Sequence, residues 1–174
     1  FGGIASVEVL PNPDMSGANT TSNAAKLTKS AGSEIWAGAY FEVATPLDLN
    51  TYTKMSIKTW SPKLGATVRL KLENSADGNQ FVEVDATTSI ANAWEELTFD
   101  LSAANTTFTY DRVVIFFDFG NAGDDSVYYY DEINLVNDAG GGTNTPVLFQ
   151  DFEGTPPTFS SFGGIASVEV LPNP

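Results

Sequence analysis

The sequence predicts an all-β fold, a two-sheet antiparallel β-sandwich of the jelly-roll kind. Three observations carry that prediction. Short runs rich in β-branched and aromatic residues recur along nearly the whole chain, turn-forming residues punctuate them, and no window of helical length spaces apolar residues three to four apart. About nine strands without a helix must bury one face of each strand against a second sheet.

The predicted strands, in order, are Ile4 to Leu10, Ser33 to Val43, Thr53 to Trp60, Thr67 to Glu73, Gln80 to Ala86, Glu95 to Leu101, Arg112 to Phe119, Ser126 to Val136 and Val147 to Phe152. Each ends where the chain offers turn chemistry: Pro46, Ser61-Pro62, Asp77-Gly78-Asn79, Ala91-Asn92, Asn105 and Gly120-Asn121-Ala122-Gly123. The opening strand at Val147 stops at Gly154, Pro156 and Pro157.

Residues Phe1 to Pro13, FGGIASVEVLPNP, return letter for letter as Phe162 to Pro174, a period of 161 residues. Such identity marks a tandem repeat. Residues 1–136 read as the body of one repeat lacking its first strand, 137–146 as a Gly-rich linker with no apolar face, and 147–174 as the first strand and start of the next repeat. The strand at Val147 can close its own module or be donated to a neighbour, and the surplus FGGIASVEVLPNP copy favours donation, head to tail.

Composition narrows the function. A net charge of −14 repels phosphate backbones and anionic bilayers, which argues against nucleic acid partners, and no apolar run is long enough for membrane insertion. The absence of Cys removes disulfides and thiol chemistry; the absence of His removes the most versatile general base. Paired carboxylates could hydrolyse a glycoside, but Glu95 and Glu96 point to opposite faces of a strand. Glu83 and Asp118 have Arg69 and Lys71 to keep both ionised, so neither is raised for general-acid work. The chain reads as a non-enzyme.

Strand alternation sorts inner from outer residues. Met55 and Ile57 face in, turning Lys58 and Trp60 out; Val68, Leu70 and Leu72 face in, turning Arg69, Lys71 and Glu73 out. The inward set Val113, Ile115, Phe117 and Phe119 leaves Phe116 and Asp118 outward. Phe81, Glu83 and Asp85 face out, as do Trp36, Tyr40 and Glu42. On one sheet these would form a face mixing aromatic rings with fixed charges. Rings stack on the apolar faces of pyranoses, while the charged groups bond sugar hydroxyls. The candidate ligand-binding set is Trp36, Lys58, Trp60, Arg69, Lys71, Glu73, Phe81, Glu83 and Asp118, and its partner a polysaccharide.

The stretches Asn12-Pro-Asp14, Gly32-Ser-Glu-Ile-Trp-Ala-Gly38, Trp60-Ser-Pro-Lys63, Leu70-Lys-Leu-Glu-Asn74, Trp94-Glu-Glu-Leu-Thr-Phe-Asp100, Phe116-Phe-Asp-Phe-Gly120 and Tyr128-Tyr-Tyr-Asp-Glu-Ile133 resemble, as a set, jelly-roll carbohydrate-binding modules of bacterial secreted and surface proteins. The resemblance implies a non-catalytic, extracellular or cell-surface module for a neutral, β-glucan-like polysaccharide. It also implies a structural Ca2+ tying the opening strand to the closing one, with Asp131 and Glu153 as the matching ligands. A register pairing Val136 with Val147 would set Asp131 opposite Phe152, beside Glu153. Carboxylates with turn carbonyls are what calcium selects. The other reading of the chain is a bead in a cell-surface adhesin or extracellular filament.

Overall fold

The computed structural model describes residues 5–137 and 146–162, with side chains from Val7 to Asn137 and Pro146 to Ser160. Most of the predicted linker and the second copy of the repeated segment beyond Phe162 lie outside the described residues.

Eleven strands form among them: β1 (Ala5–Pro11), β2 (Asn23–Lys29), β3 (Gly38–Glu42), β4 (Lys54–Trp60), β5 (Thr67–Asn74), β6 (Asp77–Thr87), β7 (Trp94–Asp100), β8 (Arg112–Phe116), β9 (Ser126–Val136), β10 (Val147–Gln150) and β11 (Phe159–Phe162). They build a six-stranded sheet, β1-β2-β9-β4-β7 with β10 also on β9, and a five-stranded sheet, β11-β3-β8-β5-β6. All pairings are antiparallel. The fold is the predicted two-sheet β-sandwich.

Alternation supplies the core. Val7, Val9, Leu27, Met55, Ile57, Phe99, Tyr128 and Tyr130 from the larger sheet meet Phe41, Val68, Leu70, Leu72, Val113, Ile115 and Phe117 from the smaller one. Burying a Leu, Ile or Phe side chain contributes about 1.5–3 kcal/mol, so this layer is the main source of stability. Phe152 and Phe159 join it edge-on to Tyr130, with ring centroids 5.6 and 6.4 Å away.

Two strands escaped the sequence reading. Asn23–Lys29 carries only one large apolar residue, Leu27, after two alanines, so β2 shows little of the β-branched signature; its place is fixed by pairing to β1 and β9. β11, in the stretch where the sequence predicts the start of another repeat, pairs with β3 at the edge of the smaller sheet.

Within this chain the strand at Val147 closes its own module. β10 pairs with β9 of the same chain, Val147 opposite Leu135, one residue from the predicted register, before a bulge brings Gln150 opposite Ile133. Because β4 runs along one edge of β9, β2 and β10 share the other edge end to end.

Candidate functional site

Sequence-adjacent strands need not be sheet neighbours, and this decides the site. β4 lies in the larger sheet and β5 in the smaller, so Lys58 and Trp60 do not share a face with Arg69, Lys71 and Glu73 as expected. The Ser61 to Ala66 connection carries the chain across the sandwich. Lys58 instead pairs with Glu132, and Trp60 packs edge-on against Tyr129, centroids 5.6 Å apart, on the outer side of the larger sheet.

Asp118 also leaves the predicted face. Its backbone enters the left-handed region, φ 50°, just after β8 ends, and the alternation breaks there. The carboxylate is 3% exposed, accepting from Lys63 Nζ at 2.6 Å and from Asn121 Nδ2 at 2.7 Å. Burial works to raise its pKa, but these donors outweigh it and hold the carboxyl below the usual range. The same reversal moves Phe119, expected in the core, onto the outer face, where its ring meets that of Phe116 edge-on at 5.5 Å.

What remains on the smaller sheet is a groove of roughly 470 Å³, lined by Trp36, Tyr40, Lys71, Glu73, Glu83, Arg112, Val114, Phe116 and Phe119. That volume lies within the roughly 300–1,000 Å³ of small-ligand sites. Four of the nine predicted residues, Trp36, Lys71, Glu73 and Glu83, line it directly. Arg69 and Phe81 border it: Arg69 stacks on Phe119 at 3.9 Å, and Lys71 lies over the Phe81 ring at 4.7 Å.

The charges are tied into a lattice. Glu73 accepts from Arg112 Nη1 at 2.9 Å and pairs with Lys71 at 2.7 Å. Arg112 also donates to Glu42 at 2.6 Å while lying over the Tyr40 ring at 4.4 Å. Arg69 grips Asp85 with two bonds of 2.7 and 2.8 Å and reaches Glu83 at 3.2 Å. Burial pushes the Glu73 carboxyl upward, but bonds from Lys71 and Arg112 win and hold it ionised below the ordinary range. Cations held over aromatic rings and already hydrogen-bonded lose little side-chain freedom when a ligand arrives.

Gly38 is what lets Phe116 lie flat on β3. A Cβ there would stand 2.8 Å from the Phe116 ring and 2.8 Å from the Ile115 carbonyl oxygen. Arg112, which the sequence reading left out of the candidate set, was legible: it is in phase with the outward Phe116. Phe119 was not, because only the Asp118 backbone reverses its side.

Asp131 and Glu153 sit elsewhere, where the 12–22 loop covers the end of the larger sheet. Asp131 is fully buried and accepts only from neutral donors: Asn19 Nδ2 at 2.8 Å, Thr21 Oγ1 and the Glu132 amide at 2.7 Å. Burial pushes its pKa up to about 6. Glu153 accepts from the Asn23 amide at 2.7 Å, and Thr21 Oγ1 lies 3.3 Å from the Asn23 carbonyl oxygen. A chain of oxygen-bearing residues thus runs from Asp131 through Thr21 and Asn23 to Glu153. Among the described residues no three His, Cys, Asp or Glu side chains converge as a metal cluster, so a cation here would rely on amide, hydroxyl and backbone oxygens. A buried carboxylate bonded only to neutral donors fits a hard dication that supplies the missing positive charge.

No family model matches the chain, and no curated relative matches it. Among solved structures it is similar to TmCBM61, determined in complex with β-1,4-galactotriose: TM-score 0.44, 15% identity, covering 75% of this chain and 81% of that one. A family 30 carbohydrate-binding module from a cellulosomal cellulase of Clostridium thermocellum gives TM-score 0.45 at 8% identity, over 80% of this chain and 94% of that one. A structure from a study of β-sandwich carbohydrate-binding modules gives TM-score 0.48 at 13% identity, over 76% of this chain and 54% of that one.

Proposed function

We propose that this chain is a non-catalytic carbohydrate-binding β-sandwich that takes a neutral, β-glucan-like polysaccharide in the groove of its smaller sheet. One observation carries the reading: Trp36, Tyr40, Phe116 and Phe119 frame a groove whose floor is the Lys71, Glu73 and Arg112 lattice. Rings present flat apolar surface to a pyranose, and the paired charges offer donors and acceptors to its hydroxyls. Glu83 lines the groove, whereas Asp118 is turned away to Lys63, so these two carboxylates do not face a common substrate. An extracellular or cell-surface setting suits such a ligand. Titration calorimetry with neutral β-glucan oligosaccharides tests the reading; no heat across a panel of β-1,3- and β-1,4-linked chains would overturn it.

Asp131 and Glu153, with Asn19, Thr21 and Asn23, would hold a calcium ion. The ion would supply a fixed counter-charge to the buried carboxylate and clasp β9 to the residues after β10; it has no part in sugar chemistry. A melting curve that is the same in calcium and in chelator would remove it.

A second reading rests on the duplicated segment. Ala5–Pro11 fills the outer edge of β2, so an identical second copy suits a following repeat, and the chain becomes one bead of a cell-surface adhesin or filament. A module silent on every glycan but polymerising head to tail would favour that role.

A further inference from the structure

Lys29 occupies a position that ordinary patterning would give to an apolar side chain. It follows Ala25 and Leu27 on the inward face of β2 and is only 1% exposed. An ammonium so buried is tolerated when its donors are satisfied. Here Nζ donates to three backbone carbonyls: Asp118 at 2.8 Å, Phe117 at 3.0 Å and Ile35 at 3.4 Å. Burial pulls its pKa below the ordinary lysine value, with the nearby Asp118 charge opposing.

Those carbonyls lie on two loops that carry three walls of the groove. Ile35 immediately precedes Trp36; Phe117 and Asp118 lie between Phe116 and Phe119. The loops are also bonded to each other, Gly120 N to the Ile35 oxygen at 3.0 Å and Gly32 N to the Gly123 oxygen at 3.0 Å. Gly123 approaches so closely that a Cβ there would stand 1.9 Å from the Ser30 oxygen. Lys29 is thus anchored on the larger sheet and reaches the loops at the rim of the smaller one.

We propose that Lys29 is a positioning residue, a latch whose ammonium holds the Trp36 loop and the Phe116 to Phe119 loop at the spacing a sugar chain requires. The proposal deepens the glycan reading, on which its functional part rests. An apolar replacement would leave the Phe117 and Asp118 carbonyls without this donor and free the two loops to separate.

The test is Lys29→Met in the full chain, followed by amide hydrogen exchange without ligand and by binding of a β-glucan hexasaccharide. The Gly120 amide, bonded to Ile35, and the Phe119 amide, bonded to the Thr67 oxygen at 3.0 Å, should exchange at least about tenfold faster relative to the β4 and β9 amides. Hexasaccharide affinity should fall about tenfold. Exchange rising equally everywhere, or not at all at these two amides, overturns the latch. If the variant does not fold, nitrogen-detected spectroscopy of the wild type decides: a resolved, slowly exchanging Lys29 ammonium signal is expected, and its absence overturns the proposal. If wild type binds no hexasaccharide, the glycan reading falls, while the exchange data still judge the latch.

Discussion

The outer faces of the two sheets are made of the same residue types but arrange them differently. On the smaller sheet, Arg69, Lys71 and Arg112 each lie over an aromatic ring, and the groove between the rings stays open. On the larger sheet, Trp60 is edge-on to Tyr129, Lys58 is spent on Glu132, and the 12–22 loop closes over Trp94 and Asp131, with Trp94 Nε1 donating to Asn12 at 3.0 Å. Both sheets carry Trp, Lys and Glu. What separates the two faces is whether the rings frame a void or fill it, and neither composition nor strand alternation reports that.

Disturbing the covered face should leave the open one unaffected. With calcium a hundredfold above its dissociation constant, ligand linkage contributes about 2.7 kcal/mol, so chelation should lower the melting temperature measurably. Glycan affinity, measured well below that temperature, should not change. In chelator, pH gives a second handle. The Asp131 pKa is raised from 3.8 to about 6, so the folded chain binds that proton more tightly than the unfolded one. The stability it contributes is therefore fully present below about pH 4 and is lost as pH rises through about 6. Comparing melting curves of wild type and Asp131→Asn across that window isolates the group: the variant should lack this component.

Trp36→Ala tests the open face directly. A stacking ring at the centre of a site is typically worth about 2 kcal/mol, so calorimetry should show affinity lowered roughly thirtyfold with little change in melting. Unchanged affinity would remove Trp36 from the site. Arg112→Met keeps much of the aliphatic stem but abolishes the bridge between Glu42 and Glu73; we expect a loss of about 1 kcal/mol in affinity, weakening less at high salt than an exposed charge would. The smallest effect belongs to Trp60→Ala. It should cost about 1 kcal/mol of stability from lost packing on Tyr129 and leave affinity within error. A glycan affinity that falls with Trp60 and not with Trp36 would reverse the assignment of the two faces.

Much of this protein was legible in its residues. Period-two alternation in Thr67 to Glu73 and Gln80 to Ala86 identified strands, sorted Leu70 and Leu72 inward and Lys71, Glu73 and Glu83 outward, and thereby supplied a third of the groove's lining, because side-chain direction along a strand is a local property of the backbone. The all-β class followed from the same signal. Tertiary structure alone decided the rest. Which sheet a strand joins depends on long-range pairing, so Trp60 and Lys58 parted from Arg69 although only a short turn separates them in sequence. A single left-handed residue, Asp118, exchanged the sides of its own carboxylate and Phe119. Alternation gave no reading of Lys29, and only the approach of the Phe117 and Asp118 carbonyls gives its ammonium a reason to be buried. Alternation acts over neighbouring residues; sheet membership and buried-charge satisfaction depend on partners distant in the chain.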